Sequence, residues 1–284
     1  LTLIILCYTD KMADNLQKYL DQLMKIGKGE DQTLDIAKTA LLLAALEFPD
    51  KQLNNYTNEL NAMAADLTKE VGDCMTLIEH ANAITNLVYK KYGFAGDINT
   101  YNNIENANLM RVIDRRKGLP VALGILVMHI GRLQGWKISG LNFPGHFLLR
   151  MTAFGEHIVL DPFDSCRILL PDDLQRILEL THGPKTSLQS QFIRMVSDKD
   201  VLIRLQNNIK IRALSEGNKE QALKTLLTMT LVAPKNVEFL AELALMEASE
   251  GKYKLAIDRL DNFIKSQKDS QDVVDIENLL VNLK

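Results

Sequence analysis

RRKGLPVALGILV, Arg115 to Val127, is the stretch that decides how this chain is built. Gly118 interrupts a helical pattern, and Pro120 follows at a place that suits the first position of a new helix, where a missing N–H costs nothing. From Val121 to Leu133 the sequence is apolar on nearly every face, so the helix it forms belongs in the centre of a core. Gly135 ends it. Continuous or alternating apolar runs follow in WKISGLN (136–142), HFLLRM (146–151) and HIVL (157–160), which read as antiparallel strands packed on that helix.

Upstream, from Asp31 to about Tyr92, the pattern is helical. DQTLDIAKTALLLAALEF stops before Pro49, and Leu53, Tyr56, Leu60, Met63 and Leu67 form one apolar stripe. MTLIEHANAITNLVYKKYGF repeats the pattern and carries His80, expected at the surface or at a boundary. His129, inside the apolar helix, is expected as a satisfied core histidine. GFAGDINTYNNIENANL (93–109) reads as an ordered loop without strand or helix.

Downstream of about Asp200 the chain is helical and repeats itself. Gly217 and Gly251, Ala222 and Ala256, and Leu226 and Leu260 are each 34 residues apart, for example 251 − 217. That period in helical sequence is the tetratricopeptide signature, with Pro234 closing the first repeat and DVVDIENLLVNLK as a capping helix. Two repeats are few for an independent array, so they are expected to pack on the core. The resulting fold class is α+β: N-terminal helices, a core of one helix and an antiparallel sheet, then an all-α repeat module. The expected boundaries are 1–30 for an N-terminal extension and leader helix, 31–180 for a helical subdomain plus the core, 181–199 for a polar connector, and 200–284 for the repeats. Met12 is taken as the natural start, with residues 1–11 upstream of it.

The chain has 284 residues, 46% hydrophobic, with a net charge of −3 and three cysteines. That balance argues against a coat on nucleic acid or on an anionic membrane, and three cysteines make no disulfide framework, so a reducing cytoplasm is expected. No apolar run approaches the length that crosses a bilayer. No phosphate-cradling glycine loop occurs, so no nucleotide and no cofactor is expected. His146, His157, Asp161 and Cys166 lack any tight zinc spacing, so no metal is expected either.

Three pieces stand in order: RRKGLPVALGILV, then NFPGHFLLR with His146, then LDPFD with Asp161. A buried helix facing one strand with His and the next with Asp is the layout of cysteine-nucleophile enzymes of transglutaminase-like or papain-like fold. In such sites a thiol at the helix N-terminus is activated by the dipole and the histidine, and the aspartate holds the ring. With YGFAGDINTYNN, NLMRVIDRRKGLPVALGIL, GLNFPGHFLLRM and ALLLAALEFPD, the chain resembles the bacterial SirB-type family, a transglutaminase-like core followed by tetratricopeptide repeats. The resemblance covers about residues 33 to 265. It implies that His146 and Asp161 are the family's histidine and aspartate, and that its cysteine falls at about Pro120. No Cys, Ser or Thr lies between Lys117 and Leu123, so the standard nucleophile is absent.

The first expectation is therefore a non-catalytic domain that binds a protein or peptide partner of unknown identity in the relic cleft. The alternative is an amide or peptide-bond hydrolase or transferase using His146 and Asp161 with Cys166 or a water as nucleophile. Cys74 begins a helix but has no sequence link to His146. Arg115, Arg116, Pro120 and Asn142 are the candidate binding residues. Arg111, Arg115, Arg116 and Lys117 suit the negative end of a helix and solvent, and the sharper reading has Arg115 or Arg116 pairing a carboxylate, such as Asp114 or Asp161, or holding an anion near the cleft.

Overall fold

In the computed structural model, residues 10–30, 34–72, 76–266 and 271–283 are described. Cys7 and Cys74 lie outside the described residues. Helix α1 (Asp10–Lys28) is followed by α2 (Ile36–Ala45), α3 (Leu53–Val71) and α4 (Leu77–Ile84), which continues as a π-helical turn from Thr85 to Lys91. Asp35 caps α2 through the Lys38 N–H, and Thr76 with Glu79 forms a capping box on α4. Then come a two-residue strand β1 (Ala95–Gly96), a 3-10 turn (Ile104–Ala107), α5 (Leu109–Arg115) and β2 (Lys117–Gly118), which pairs with β1 in parallel. The 93–109 segment thus holds a short strand and a helical turn where an irregular loop was expected. Buried Asn106 explains it: its side chain donates to the Thr100 carbonyl at 2.7 Å, and its own carbonyl accepts from the Leu119 N–H at 2.9 Å.

Helix α6 (Pro120–Arg132) begins at Pro120, and all its residues from Pro120 to Met128 are buried. An antiparallel sheet lies against it in the order β3 (Lys137–Gly140), β4 (Leu149–Ala153), β5 (Glu156–Asp161) and β6 (Arg167–Leu169). Two glycines on α6, one heptad apart, allow the close approach. A Cβ at Gly124 would stand 2.4 Å from the Phe147 ring, and one at Gly131 would stand 2.4 Å from the Ile138 side chain. Strand β4 starts three residues after His146 because Pro144 and Gly145 (φ 72) turn the chain there. Strand β6 and the helix α7 (Pro171–His182) were not anticipated from the sequence.

The 181–199 segment, expected as a polar connector, is docked. Leu188, Phe192 and Ile193 pack on Leu141, Phe143, Leu148, Leu174 and Leu178. Leu141 and Met195 bridge, and the Val196 N–H donates to the Gly140 carbonyl.

Helices α8 (Asp198–Ser215), α9 (Lys219–Val232), α10 (Val237–Ser249), α11 (Tyr253–Ser266) and α12 (Gln271–Leu283) complete the chain. The 34-residue register recurs in three dimensions. Gly217 and Gly251 both hold a positive φ (73 and 75) at the turn, and Ala222, Ala256, Leu226 and Leu260 are all fully buried. Helix α8 is part of the main core through Val201, Leu202, Leu205 and Ile209. Helix α1 closes the other side: Leu16, Leu20 and Leu23 are fully buried, and Gly27 lies so close to the Leu231 carbonyl of α9 that no side chain fits. Glu47, just past α2, accepts from Asn108 and from Gln221 of α9; burial pushes its carboxyl up.

Two histidines differ from their expected settings. His80 is buried and stacked on Trp136 at 4.3 Å, because the stripe of α4 that carries it faces the sheet end. His129 is not satisfied: its Nε2 is buried without a partner, and its Nδ1 is 3.7 Å from Asp35. Burial lowers the His129 pKa from 6.5. The unfolded chain therefore takes up this proton at a higher pH than the folded chain, so stability is full above the unfolded pKa and falls as pH drops below it. We expect His129→Leu to remove part of the loss of urea stability seen on acidification from about pH 6.5 to 5. An unchanged pH profile in that variant would refute the assignment.

Candidate functional site

His146 and Asp161 meet. The ring Nε2 and the Asp161 Oδ2 are 2.9 Å apart, with Asp161 buried and His146 partly open to solvent. Asp161 closes β5, and its other oxygen accepts from the Phe163 N–H at 2.9 Å and the Asp164 N–H at 3.4 Å. Those bonds fix the carboxylate before it meets the ring. The Nε2 bond leaves Nδ1 as the nitrogen available to a bound molecule. Phe147, the next residue, seats its ring on Gly124, which ties the histidine to the first turns of α6.

The loop carrying His146 is held from a distant part of the chain. Arg204 of α8 donates to the His146 carbonyl at 2.8 Å and to the Phe143 carbonyl at 3.3 Å, and its guanidinium lies 5.4 Å from the Phe147 ring centroid. Sequence reading missed Arg204. Nothing local marks it, since an arginine on a helix is ordinarily a solvated side chain.

Pro120 stands at the first position of α6 and is buried. It offers neither a nucleophilic side chain nor an N–H. The structure corrects the assignment of Cys166 as a replacement nucleophile. Its Sγ is fully buried and lies 3.4 Å from the Tyr89 hydroxyl, which itself donates to the Pro162 carbonyl at 2.7 Å. Ser165 and Cys166 both take the left-handed conformation (φ 52 and 56), and the thiol that follows this turn is buried. Burial pushes the Cys166 thiol up to about 12.

Arg115 and Arg116 each pair a carboxylate, though neither takes Asp114 or Asp161. Arg115 pairs with buried Asp97 at 3.0 Å and donates to Asn106, so it braces the 97–106 loop; Asp114 and Asp161 are not its partners. Arg116 pairs with Glu59 and stacks over Phe94 at 4.7 Å. Asp114 instead meets Lys51, Tyr56 and Arg111, and these partners hold its carboxyl low against the opposing effect of burial. Asn142 is exposed and bonds through its backbone N–H to the Arg194 carbonyl. The structure thus brings together His146, Asp161 and Arg204, while Arg115, Arg116 and Asn142 serve scaffolding contacts. His157 is exposed on β5, and among the described residues no group of three His, Cys, Asp or Glu side chains could hold a metal ion. No helix among the described residues is long and apolar enough to cross a membrane.

A helix with Pro120 at its start, a sheet bringing His to Asp, and a helical layer around them define a transglutaminase-like architecture. The profile of the transglutaminase-like superfamily matches residues 54–207, more than half of the chain, and the chain belongs to that superfamily. A UPF0162 protein of Xylella fastidiosa is 25% identical over 257 residues, 89% of this chain and 92% of that protein. A UPF0162 protein of Vibrio cholerae is 35% identical over 152 residues, 53% of this chain and 56% of that protein. F-box only protein 21 of Mus musculus is 29% identical over 172 residues, 57% of this chain and 26% of that protein. No solved structure matches.

Two thiol measurements follow. In the native protein Cys166 is expected to resist iodoacetamide at pH 8 and to react only on unfolding, whether or not His146 is replaced by Ala. Rapid native alkylation that depends on His146 would restore the nucleophile reading. In Pro120→Cys, by contrast, the introduced thiol is expected to ionise below its usual value of about 8.5 and to lose that shift when His146→Ala is added. An introduced thiol indifferent to His146 would separate the histidine from the start of α6.

Proposed function

We propose that this chain is a non-catalytic transglutaminase-like protein that binds an extended protein or peptide segment beside His146 and Asp161. The observation that carries the reading is Pro120: the position where the family layout requires a thiol holds a residue with no nucleophile and no N–H, while the His146–Asp161 pair is kept. A pair without a nucleophile performs no acyl transfer, but a partly exposed histidine ring with Nδ1 unengaged can still hydrogen-bond a peptide. The matching 34-residue register of α9 and α11 supports reading the C-terminal helices as tetratricopeptide-type hairpins, which bind partner segments on helical surfaces. We accordingly group the chain with the SirB-type proteins and assign it a cytoplasmic scaffold role.

A second reading is amide hydrolysis by a water activated at His146. It draws on the Nε2–Asp161 bond, which sets the tautomer that leaves Nδ1 as a base. One experiment separates the two. A random peptide library is selected on the immobilised full chain, and enriched peptides are measured by fluorescence anisotropy and mass spectrometry. We expect intact peptides whose affinity falls about tenfold, roughly 1.4 kcal/mol, in His146→Ala and in His146→Gln. Cleaved peptides, with cleavage lost in both variants, would establish the hydrolase. No enrichment, or binding indifferent to His146, would refute the proposal.

A further inference from the structure

Helix α8 presents two guanidinium groups without acidic partners. Arg204 donates only to carbonyls, those of Phe143 and His146. Arg212 donates to the Asn208 carbonyl and side chain and to the Tyr101 carbonyl. Neither lies within 4.0 Å of a carboxylate among the described residues. Arg212 is 8% exposed, and its Nε is buried with no hydrogen-bond partner. The same helix neutralises its other buried cation in the ordinary way, since Lys210 meets Glu242 at 2.6 Å. Burial pushes both arginines below their usual values.

Arg204 and Arg212 lie eight residues apart on α8, and Asn208 between them donates to the Arg204 backbone carbonyl and accepts from the Arg212 guanidinium. The Arg212 guanidinium stands 5.6 Å from the Tyr101 ring centroid and donates to the Tyr101 carbonyl at 3.3 Å. Tyr101 is 42% exposed, packs edge-on against Phe163 at 5.6 Å, and its hydroxyl has no hydrogen-bond partner among the described residues. Phe163 is the residue whose N–H holds Asp161, and Arg115 braces the loop through Asp97. Arg204 therefore flanks the His146 side of the pair, and Tyr101, with Arg212 at its ring, stands beside Phe163 on the Asp161 side.

A buried charge left unpaired is costly, and an entering anion relieves that cost. Carboxylate suits the planar fork of arginine, and it is the anion that a peptide carries at its C-terminus and on Asp and Glu. Resting on the peptide-binding reading above, we propose that Arg204, Arg212 and Tyr101 form a carboxylate subsite beside His146, so that the segment bound is acidic. The helical module then supplies specificity to the transglutaminase-like core.

The test uses the full chain and three probes: acetyl-Ala-Ala-Ala-Asp with free carboxylates, its uncharged twin acetyl-Ala-Ala-Ala-Asn-amide, and inorganic phosphate. Binding is followed through the arginine Nε–H and His146 ring signals in NMR spectra. The acidic peptide is expected to shift Arg204, Arg212 and His146 together, to bind at least about tenfold tighter than its twin, and to weaken with added salt. Tyr101→Phe, which removes only the hydroxyl, is expected to weaken the acidic peptide several-fold and leave the twin unchanged. Arg204→Gln should abolish the preference. Equal affinity for both peptides overturns the subsite while leaving peptide binding standing. Phosphate binding as tightly as the acidic peptide overturns the carboxylate assignment. Arginine signals that none of the probes moves overturn the subsite, whatever the library selection yields.

Discussion

The structure depends on how closely the sheet can press on helix α6. Gly124 and Gly131 remove the side chains that would hold β3 and the start of β4 away, and the Phe147 ring and the Ile138 side chain fill the space. A protein interior is packed as densely as an organic crystal, so a single extra carbon at either glycine has no room without displacement. This seam fixes the position of Phe147 and, with it, of His146. The arrangement is also why α6 is apolar all round: α2, α3 and α8 cover the faces that the sheet leaves open.

The site is assembled from parts far apart in the chain, each held by a different kind of bond. Two backbone N–H groups orient the Asp161 carboxylate, the carboxylate orients the ring, and Arg204 ties down the ring's own backbone. Each of these bonds has a charged partner and is worth roughly 1.5–3 kcal/mol, and each removes freedom that the next would otherwise have to restrict. Because Arg204 sits on α8, that helix is tied directly to the site. Core residues Val201, Leu202, Leu205 and Ile209 on that helix make the same point in apolar terms.

The chemistry available to the site is set by what stands at the start of α6 and in the turn after β5. Proline there suits the start of the helix and brings neither a nucleophilic side chain nor an N–H. The turn at Ser165 and Cys166 rotates the thiol into a pocket against Tyr89, where the low polarity of the surroundings keeps the proton on sulfur. The site that results is a partly open His–Asp pair whose histidine backbone is held by Arg204.

Much of this was legible in the residues themselves. Periodicity marked the helices, Pro120 and Gly135 marked the ends of the central one, and the 34-residue register marked the turns at Gly217 and Gly251, because each of these signals is local. The order of motifs likewise paired His146 with Asp161 before any coordinates. The sequence could not say that Cys166 faces inward, since strand parity does not survive two left-handed residues in a turn. It could not say that Arg115 braces Asp97 or that His80 stacks on Trp136, because long side chains choose partners by proximity. Nor could it say that Arg204 binds the His146 carbonyl. Local propensity and apolar spacing are properties of neighbours along the chain, whereas charge compensation and burial are settled only when distant segments pack together.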